Sequence, residues 1–498
     1  MLVRPSLRDY RVISAVVGRA LVMLAGSGLV PVVWAVVAQE WAPLGTLLLM
    51  IGVAATLGAV AIRFGPRTFN VDWSQAMVAV AVIWLIVPTI GAIPFALSGH
   101  FADLLDAMFD SVSAFTTTGL SVMSDLDHLA SSLNVWRHLM QFVGGLGIVV
   151  AALTVFAGAG GITLYLGEGR EERFLPSVLS TARFSWTIAG VHLVVLVSGL
   201  TAVGWAALGF EPGRAVLHAF TMFLAGFSTG GFAPQSTSMG YYHSFAFELI
   251  AMTAMLGGAM SFGLHYALRE GRYRSALRNL EVRTYLTSVG ASLVLVLVGI
   301  ATFDQFEDVS SLVRQGVFQL FSAHTTTGWA TIPSAELASW AGLSFVGMAV
   351  AMAVGGMGSS TAGGVKALRV GMTLKVIVNQ IRRGLLPEGA VVSDRYYQGG
   401  PRRLTPEVVQ PVMTISLLYV ALYLLGSAVG LAYGIPLELA LFESVSASAT
   451  IGLSVGVTGP SMPVALQVVY IVQMWAGRLE FMALFSLLGF AYAMVRGE

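Results

Sequence analysis

The 498-residue sequence predicts an all-α membrane protein, with two N-terminal spans followed by four helix–half-helix–helix repeats around a central pore. Three observations predict it. Hydrophobic residues make up 56% of the chain and charged residues 11%, with a mean hydropathy of +0.79, whereas soluble domains carry about a quarter charged residues. Apolar runs near the ~20-residue spanning length recur at 13–37, 43–62, 75–97, 134–157, 186–209, 245–268, 284–303, 340–382, 408–433 and 464–494. Between the later runs, a short segment ending in glycine occurs four times.

Met1 to Tyr10 carries Arg4, Arg8 and Asp9 and lacks a small-residue cleavage site, so the first run reads as a retained span. The first two runs stand outside the repeat. The remaining eight pair off around the glycine segments, which divides the chain into an extension, 1–68, and repeats at 69–170, 171–275, 276–400 and 401–498. The absence of cysteine excludes disulfides, thiolate metal sites and cysteine nucleophiles.

The four segments run from Phe109 to Gly119, Phe220 to Gly230, Phe318 to Gly328 and Phe442 to Gly452. Aligned on the last glycine, each has Phe ten residues earlier, Ala five earlier (Ala114, Ala225, Ala323, Ala447) and a hydroxyl two earlier (Thr117, Ser228, Thr326, Thr450). Columns fixed in this way indicate an internal repeat. A half-length helix ending at Thr-x-Gly continues as extended backbone, because glycine tolerates conformations closed to other residues. Irregular backbone at membrane depth is tolerated only inside protein or beside a water-filled cavity. Four such strands around one axis predict a ring of carbonyls built from Thr117, Thr118 and Gly119, Ser228, Thr229 and Gly230, Thr326, Thr327 and Gly328, and Thr450, Ile451 and Gly452.

Sidedness follows from the arginines. Arg63 and Arg67, Arg170, Arg173 and Arg183, Arg269 to Arg283, and Arg382 to Arg403 fall between repeats, which places those loops and both termini in the cytoplasm. The half-helix segments hold acids instead, among them Asp103, Asp106, Asp110, Asp125, Asp127, Glu211, Asp304, Glu307, Asp308, Glu336, Glu438 and Glu443, and are expected to form a negative outer mouth or to cap the half-helices. In the longest inner loop, 382–407, Gly399-Gly400 between β-prone runs predicts a hairpin.

After each glycine segment comes a helix with small residues near its middle: Gly144-Gly145, Gly257-Gly258, Gly355-Gly356 and Ala476-Gly477. Small residues allow close approach of helices. In the third repeat Gly355, Gly356, Gly358, Ser359, Ser360, Thr361, Gly363, Gly364 and Lys366 predict a break into an intramembrane loop. Arg478 stands where the other repeats have Leu146, Ala259 and Met357, and an ionisable group at that depth points to function. Its expected partners are loop carbonyls rather than Glu480, since residues two apart do not share a helix face. His324 is expected to pack or hydrogen-bond. No ligand cluster or nucleophile–base pair is legible, so no enzyme, cofactor or nucleic-acid partner is expected.

Taken together, the repeat, the loops Thr-Thr-Thr-Gly, Ser-Thr-Gly-Gly-Phe, Thr-Thr-Thr-Gly-Trp and Ala-Thr-Ile-Gly-Leu, the glycine-rich break and the Gly-Arg of the fourth repeat resemble the Trk/Ktr/HKT superfamily of potassium translocation proteins, over about residues 1–495. The two extra spans make the chain most similar to the TrkH branch. The resemblance implies potassium uptake across the bacterial cytoplasmic (inner) membrane through one pore per subunit of a homodimer, under a cytoplasmic, nucleotide-binding, TrkA-like ring. It implies that the four glycines form a selectivity filter for K+, that the third-repeat loop is the gate, and that Arg478 holds it. Members with serine at the first filter glycine tend to admit sodium, and Gly119 here implies potassium. The rival readings are a sodium-permeable pore of the same fold and a cation-coupled carrier; the latter needs an inverted repeat, whereas these four repeats share one orientation.

Overall fold

The computed structural model describes residues 4–66, 70–147, 178–302, 309–340, 342–387 and 393–497. Two N-terminal spans come first: α1 (Leu7–Ser27) continuing into α2 (Leu29–Val37), then α3 (Trp41–Phe64). They cross where Gly18 meets Gly58, so closely that a β-carbon on either would lie 2.8 or 2.9 Å from the other's carbonyl oxygen. Glycine is required at that crossing.

The first repeat comprises α4 (Trp73–Gly91), its one-turn extension α5 (Ile93–Ala96), the half-helix α6 (Leu104–Phe115) and α7 (Ser131–Leu146). The second has α8 (Val178–Ala206), half-helix α9 (Pro212–Phe227), α10 (Phe245–Ala259) and α11 (Phe262–Arg269), followed by the short α12 (Tyr273–Arg278). The third has α13 (Leu280–Thr302), half-helix α14 (Val309–His324), a short α15 (Ser334–Ser339), α16 (Leu343–Val354) and α17 (Ala367–Leu385). The fourth has α18 (Pro406–Ala432), half-helix α19 (Leu437–Ser448), α20 (Val464–Arg478) and α21 (Met482–Arg496).

Among the described residues the expected spans are not all single helices. Six described helices are long and apolar enough to cross a bilayer, or eight if each bent pair is one span. The third-repeat break falls between Val354 and Ala367, over the expected residues. Two further spans expected to be continuous are bent as well, by 102° between α10 and α11 and by 109° between α20 and α21. In the first bend Met260 is extended and the Ser261 hydroxyl restarts the helix by accepting from the Leu264 amide (3.1 Å). In the second, Glu480 and Phe481 both take left-handed backbone (φ 50° and 71°). Residues 148–157 of the fourth expected span, Arg67, Arg170, Arg173, Asp304, Glu307 and Asp308 lie outside the described residues, as does the boundary at 170/171.

The outward faces of α8 and α18 are apolar and exposed, with Val191, Val194 and Val195 on one and Leu417, Leu424 and Leu425 on the other. Such a continuous apolar surface is stable against lipid rather than water. The expected hairpin is present: β1 (Arg395–Tyr397) pairs antiparallel with β2 (Pro401–Arg403), Tyr396 facing Arg402, around Gly399 at φ +64°.

Candidate functional site

All four half-helices end in the same hydrogen-bonded turn. In the first, the Thr117 amide donates to Ala114 O (3.0 Å) and the Thr118 amide to Ser113 O (2.8 Å), the double closure that terminates a helix through a left-handed residue. The amides of Gly230, Thr327 and Ile451 repeat the longer closure onto Ala225, Ser322 and Ser446 at 2.8, 2.9 and 2.9 Å. The left-handed residue is threonine every time: Thr117, Thr229, Thr326 and Thr450, with φ between 52° and 57°. A β-branched residue at positive φ is an outlier, costing on the order of 1–3 kcal/mol, and persists only where the surroundings impose it.

Beyond each threonine the chain extends to a glycine at φ 78–90°: Gly119, Gly231, Gly328 and Gly452. A β-carbon on Gly119 would lie 2.3 Å from Gly230 O, on Gly231 1.8 Å from Thr327 O, on Gly328 1.9 Å from Ile451 O, and on Gly452 2.1 Å from Thr118 O. Each segment therefore stacks its glycine on the next segment's carbonyl, and the fourth closes onto the first. The carbonyls so arranged are those of Thr118, Gly230, Thr327 and Ile451.

This geometry corrects the sequence register in the second repeat by one residue. Gly231, not Gly230, is the counterpart of Gly119, Gly328 and Gly452. Likewise Thr229, not Ser228, matches Thr117, Thr326 and Thr450, and Ser228 matches Thr116. The tandem glycine offered two alignments, and the Phe220 and Ala225 columns favoured the wrong one.

Behind the ring, the residue nine before each glycine holds the chain three after it. Asp110 Oδ1 accepts from the Val122 amide (2.9 Å), Gln319 Oε1 from Thr331 (3.0 Å) and Glu443 Oε1 from Val455 (3.0 Å). In the second repeat the corresponding pair is Met222 and Pro234. Proline has no amide hydrogen to satisfy, and the acceptor is missing with it. Asp110 and Glu443 are thus buried braces rather than part of a negative mouth, and Asp110 also pairs with buried Arg137 (3.5 Å). Asp103 is a helix cap, accepting from the Asp106 amide (3.0 Å), and Asp127 joins the loops that follow the first two half-helices through Ser236 (2.6 and 2.8 Å).

Above the ring lies a cavity of about 510 Å³ lined by Gly119, Gly231, Gly328 and Gly452. On the other side of the ring the third-repeat loop packs against the left-handed threonines. Gly355, Ser359, Gly364 and Lys366 have φ between 52° and 81°. Gly356 donates to Gly363 O (3.4 Å), closing the loop on itself. Gly358 N is held by Glu281 (2.5 Å), and Ser360 Oγ bonds Met357 O (2.5 Å). The left-handed threonines meet the loop: the Gly363 amide donates to Thr326 Oγ1 (2.9 Å), and Thr229 Oγ1 lies 3.3 Å from Thr361 Oγ1. A β-carbon on Gly363 would lie 2.1 Å from Thr450 Oγ1. Arg478 reaches across from the fourth repeat, its Nη1 donating to Thr361 O (2.9 Å) and Thr117 Oγ1 (3.3 Å) and its Nη2 to Gly144 O (2.7 Å) and Gly145 O (3.2 Å).

Lys366 is ion-paired rather than free, its Nζ 2.7 Å from Glu480, but that one carboxylate also binds Arg369, so the cluster keeps a net positive charge. One expectation at this loop, the first-repeat counterpart of Arg478, is corrected. The counterpart of Arg478 in the first repeat is Gly145, not Leu146. A β-carbon on Gly144 would lie 1.9 Å from Phe115 O, as one on Gly477 would from Ser448 O, and one on Gly258 2.1 Å from Phe227 O. His324 hydrogen-bonds Ser288 (2.8 Å) and packs edge-on to Tyr285. Among the described residues, no group of three or more His, Asp and Glu is placed to hold a metal ion.

Comparison with known proteins follows the same architecture. The sequence profile of the TrkH family, described as cation transport proteins, matches residues 50–492. An uncharacterized cation transporter of Methanocaldococcus jannaschii is 30% identical over 85% of this chain and 84% of its own. The Trk system potassium uptake protein TrkH of Escherichia coli is 26% identical over 96% of this chain and 98% of its own. The crystal structure of the potassium transporter TrkH from Vibrio parahaemolyticus superposes with a TM-score of 0.81 at 25% identity, over 96% of this chain and 98% of that one.

Proposed function

The chain belongs to the TrkH family of cation transport proteins, and from that premise we propose that it takes up potassium through the axis its four repeats enclose. The observation that carries this reading is the closed stack of four glycines on four carbonyls beneath an open cavity. Half-helix C-termini bring partial negative charge to such a ring, and backbone carbonyls replace the hydration shell of a large monovalent cation. Thr117, Thr118, Gly119, Thr229, Gly230, Gly231, Thr326, Thr327, Gly328, Thr450, Ile451 and Gly452 make up the filter in this reading. No bond is made or broken, so no catalytic group is needed.

The loop from Gly355 to Lys366 is the gate. It is pinned from below the ring by Arg478 and from above by the threonine hydroxyls, so an ion leaving the filter meets backbone. A single positive charge about 5 Å from that ion adds ~3 kcal/mol of repulsion at an effective dielectric of about 20. Steric and electrostatic barriers coincide there. The protein works in the bacterial cytoplasmic membrane with both termini inside, as a homodimer controlled by a separate nucleotide-binding ring; the arginines of the inner loops support that docking side.

Purified protein in liposomes, given K+, Na+, Rb+ and Cs+ in turn, tests the reading. Uptake should favour K+, and Gly119→Ser should narrow the K+/Na+ ratio without loss of folded protein. An unchanged ion preference in well-expressed Gly119→Ser would remove Gly119 from the filter.

A further inference from the structure

One of the four ring carbonyls is held differently from the rest. In the first, third and fourth segments the residue before the ring glycine has a side chain, Thr118, Thr327 or Ile451, and all three are buried. The first two of these hydroxyls bond the residue two earlier, Thr116 and Thr325, at 2.8 Å. The second segment has Gly230 there. The space a β-carbon would take is filled by Gln141, whose Cδ, Oε1 and Nε2 would lie 2.5, 2.7 and 2.8 Å from it.

Gln141 is fully buried and reaches in from α7, in the preceding repeat. Its Nε2 donates to Gly230 O (2.5 Å) and its Oε1 accepts from the Phe232 amide (3.2 Å). The partners set the orientation of the amide, since a carbonyl only accepts and a peptide N–H only donates. The side chain therefore spans the peptide units on both sides of Gly231. Among the described residues, no hydrogen bond reaches the carbonyls of Thr118, Thr327 or Ile451.

The other repeats show what Gln141 replaces. Three residues before the glycine that touches the half-helix end stand Gln141, Met255 and Met474, counted from Gly144, Gly258 and Gly477. Met255 packs in one apolar cluster with Trp329 of the third segment, and Met474 in another with Leu120 of the first. A methionine thus backs the segments that carry their own threonine, Thr327 and Thr118. The polar amide occurs where the neighbouring segment has no side chain at all.

We propose that Gln141 is a specificity-determining positioning residue, fixing the Gly230 carbonyl of the ring by a hydrogen bond supplied from the preceding repeat. One carbonyl then offers the cation a lone pair whose direction is set by an amide, while the other three are aimed by their own segments. The proposal rests on the reading of the ring as an ion filter. Backbone that is free to turn away from the ion discriminates less between cations of different size.

The test uses full-length protein in liposomes, with the K+/Na+ permeability ratio from reversal potentials beside total K+ flux. Gln141→Met, which keeps the shape and removes both hydrogen bonds, should lower the ratio about fivefold, the scale of one lost hydrogen bond, at a K+ flux within about twofold of the parent. Adding Gly230→Thr to that variant installs the Met–Thr pairing of the neighbouring repeats and should restore the ratio. Where Gln141→Met does not fold, Gln141→Asn, whose amide is drawn back by one methylene, is read in the same way. A folded variant at position 141 with the parent's ratio overturns the proposal if Gly119→Ser, run in parallel, changes it. Should neither change it, the filter reading fails first and takes the proposal with it.

Discussion

Arg478 is the residue on which most of the site converges. From the fourth repeat it bonds the first through Thr117, Gly144 and Gly145, and the third through Thr361. A planar guanidinium suits such divergent acceptors, whereas a lysine ammonium is a point charge without the fork. Arg478→Ala should therefore raise basal K+ flux in liposomes lacking any partner, Arg478→Lys should raise it less, and neither should alter the K+/Na+ ratio. Flux no greater than the parent's in the alanine variant would make Arg478 an anchor of the fold rather than of the gate. An arginine at membrane depth was legible in the sequence, as was its bonding to carbonyls rather than to Glu480, which lies in the turn beyond the end of α20. Its first-repeat counterpart was not legible, because Gly144-Gly145 offers two registers and only the approach of Phe115 O distinguishes them.

At the scale of elements, the bends and caps decide how the repeats hold together. Glu480 sits in the left-handed turn between α20 and α21 and binds Lys366 and Arg369 at the start of α17. Removing one member of a buried ion cluster leaves its partners uncompensated, typically at a cost of 3–5 kcal/mol. Glu480→Gln should therefore lower the thermal midpoint in detergent by several degrees, and adding Arg369→Gln should recover part of the loss. A double variant no more stable than the single one would mean that Arg369 is not stranded.

A second carboxylate caps α7 from outside the repeats. Glu40, between α2 and α3, accepts from the amides of Ser131 and Ser132 (both 2.8 Å) and from their hydroxyls, which ties the N-terminal pair to the pore repeats. Partial burial raises its pKa, but these hydrogen bonds outweigh it and hold the carboxyl below its ordinary value of 4.5. A lowered folded-state pKa gives stability that is full above 4.5 and fades as pH falls through the folded value. Glu40→Gln should cost about 1–2 kcal/mol at neutral pH, and the gap between variant and parent should close in acid below that point. A gap that does not begin to shrink as pH falls below 4.5 would contradict the assignment, since a lowered carboxyl loses its stabilisation between its unfolded and folded values.

Across the whole molecule, the four repeats are joined in sequence but the ring closes only in space, with the last glycine against the first segment. Beside the hairpin, Arg402 lines a cavity of about 380 Å³ with Arg272, and Arg402 and Arg403 are both exposed. Converting both to glutamate should reverse the local charge and release a co-purifying regulatory protein from the native source, while transport by the isolated chain in liposomes is retained. Retention of an unchanged partner by that variant would exclude the hairpin as a principal contact.

Residue order alone made legible the all-α membrane class, the two extra spans, the four half-helix segments, the break after Val354 and the hairpin at Gly399. Each depends on local composition: apolar length, a helix-breaking run, a turn-forming pair. Contacts in space alone show that Gly231 is the ring glycine, that Asp110 and Glu443 brace the segments from behind, that Lys366 shares Glu480 with Arg369, and that two further spans bend. The first three depend on a partner outside the local segment. Hydropathy averaged over a span does not register a bend within it, and the phase of a tandem glycine depends on the side chain, here Gln141, that occupies the space where a β-carbon would stand.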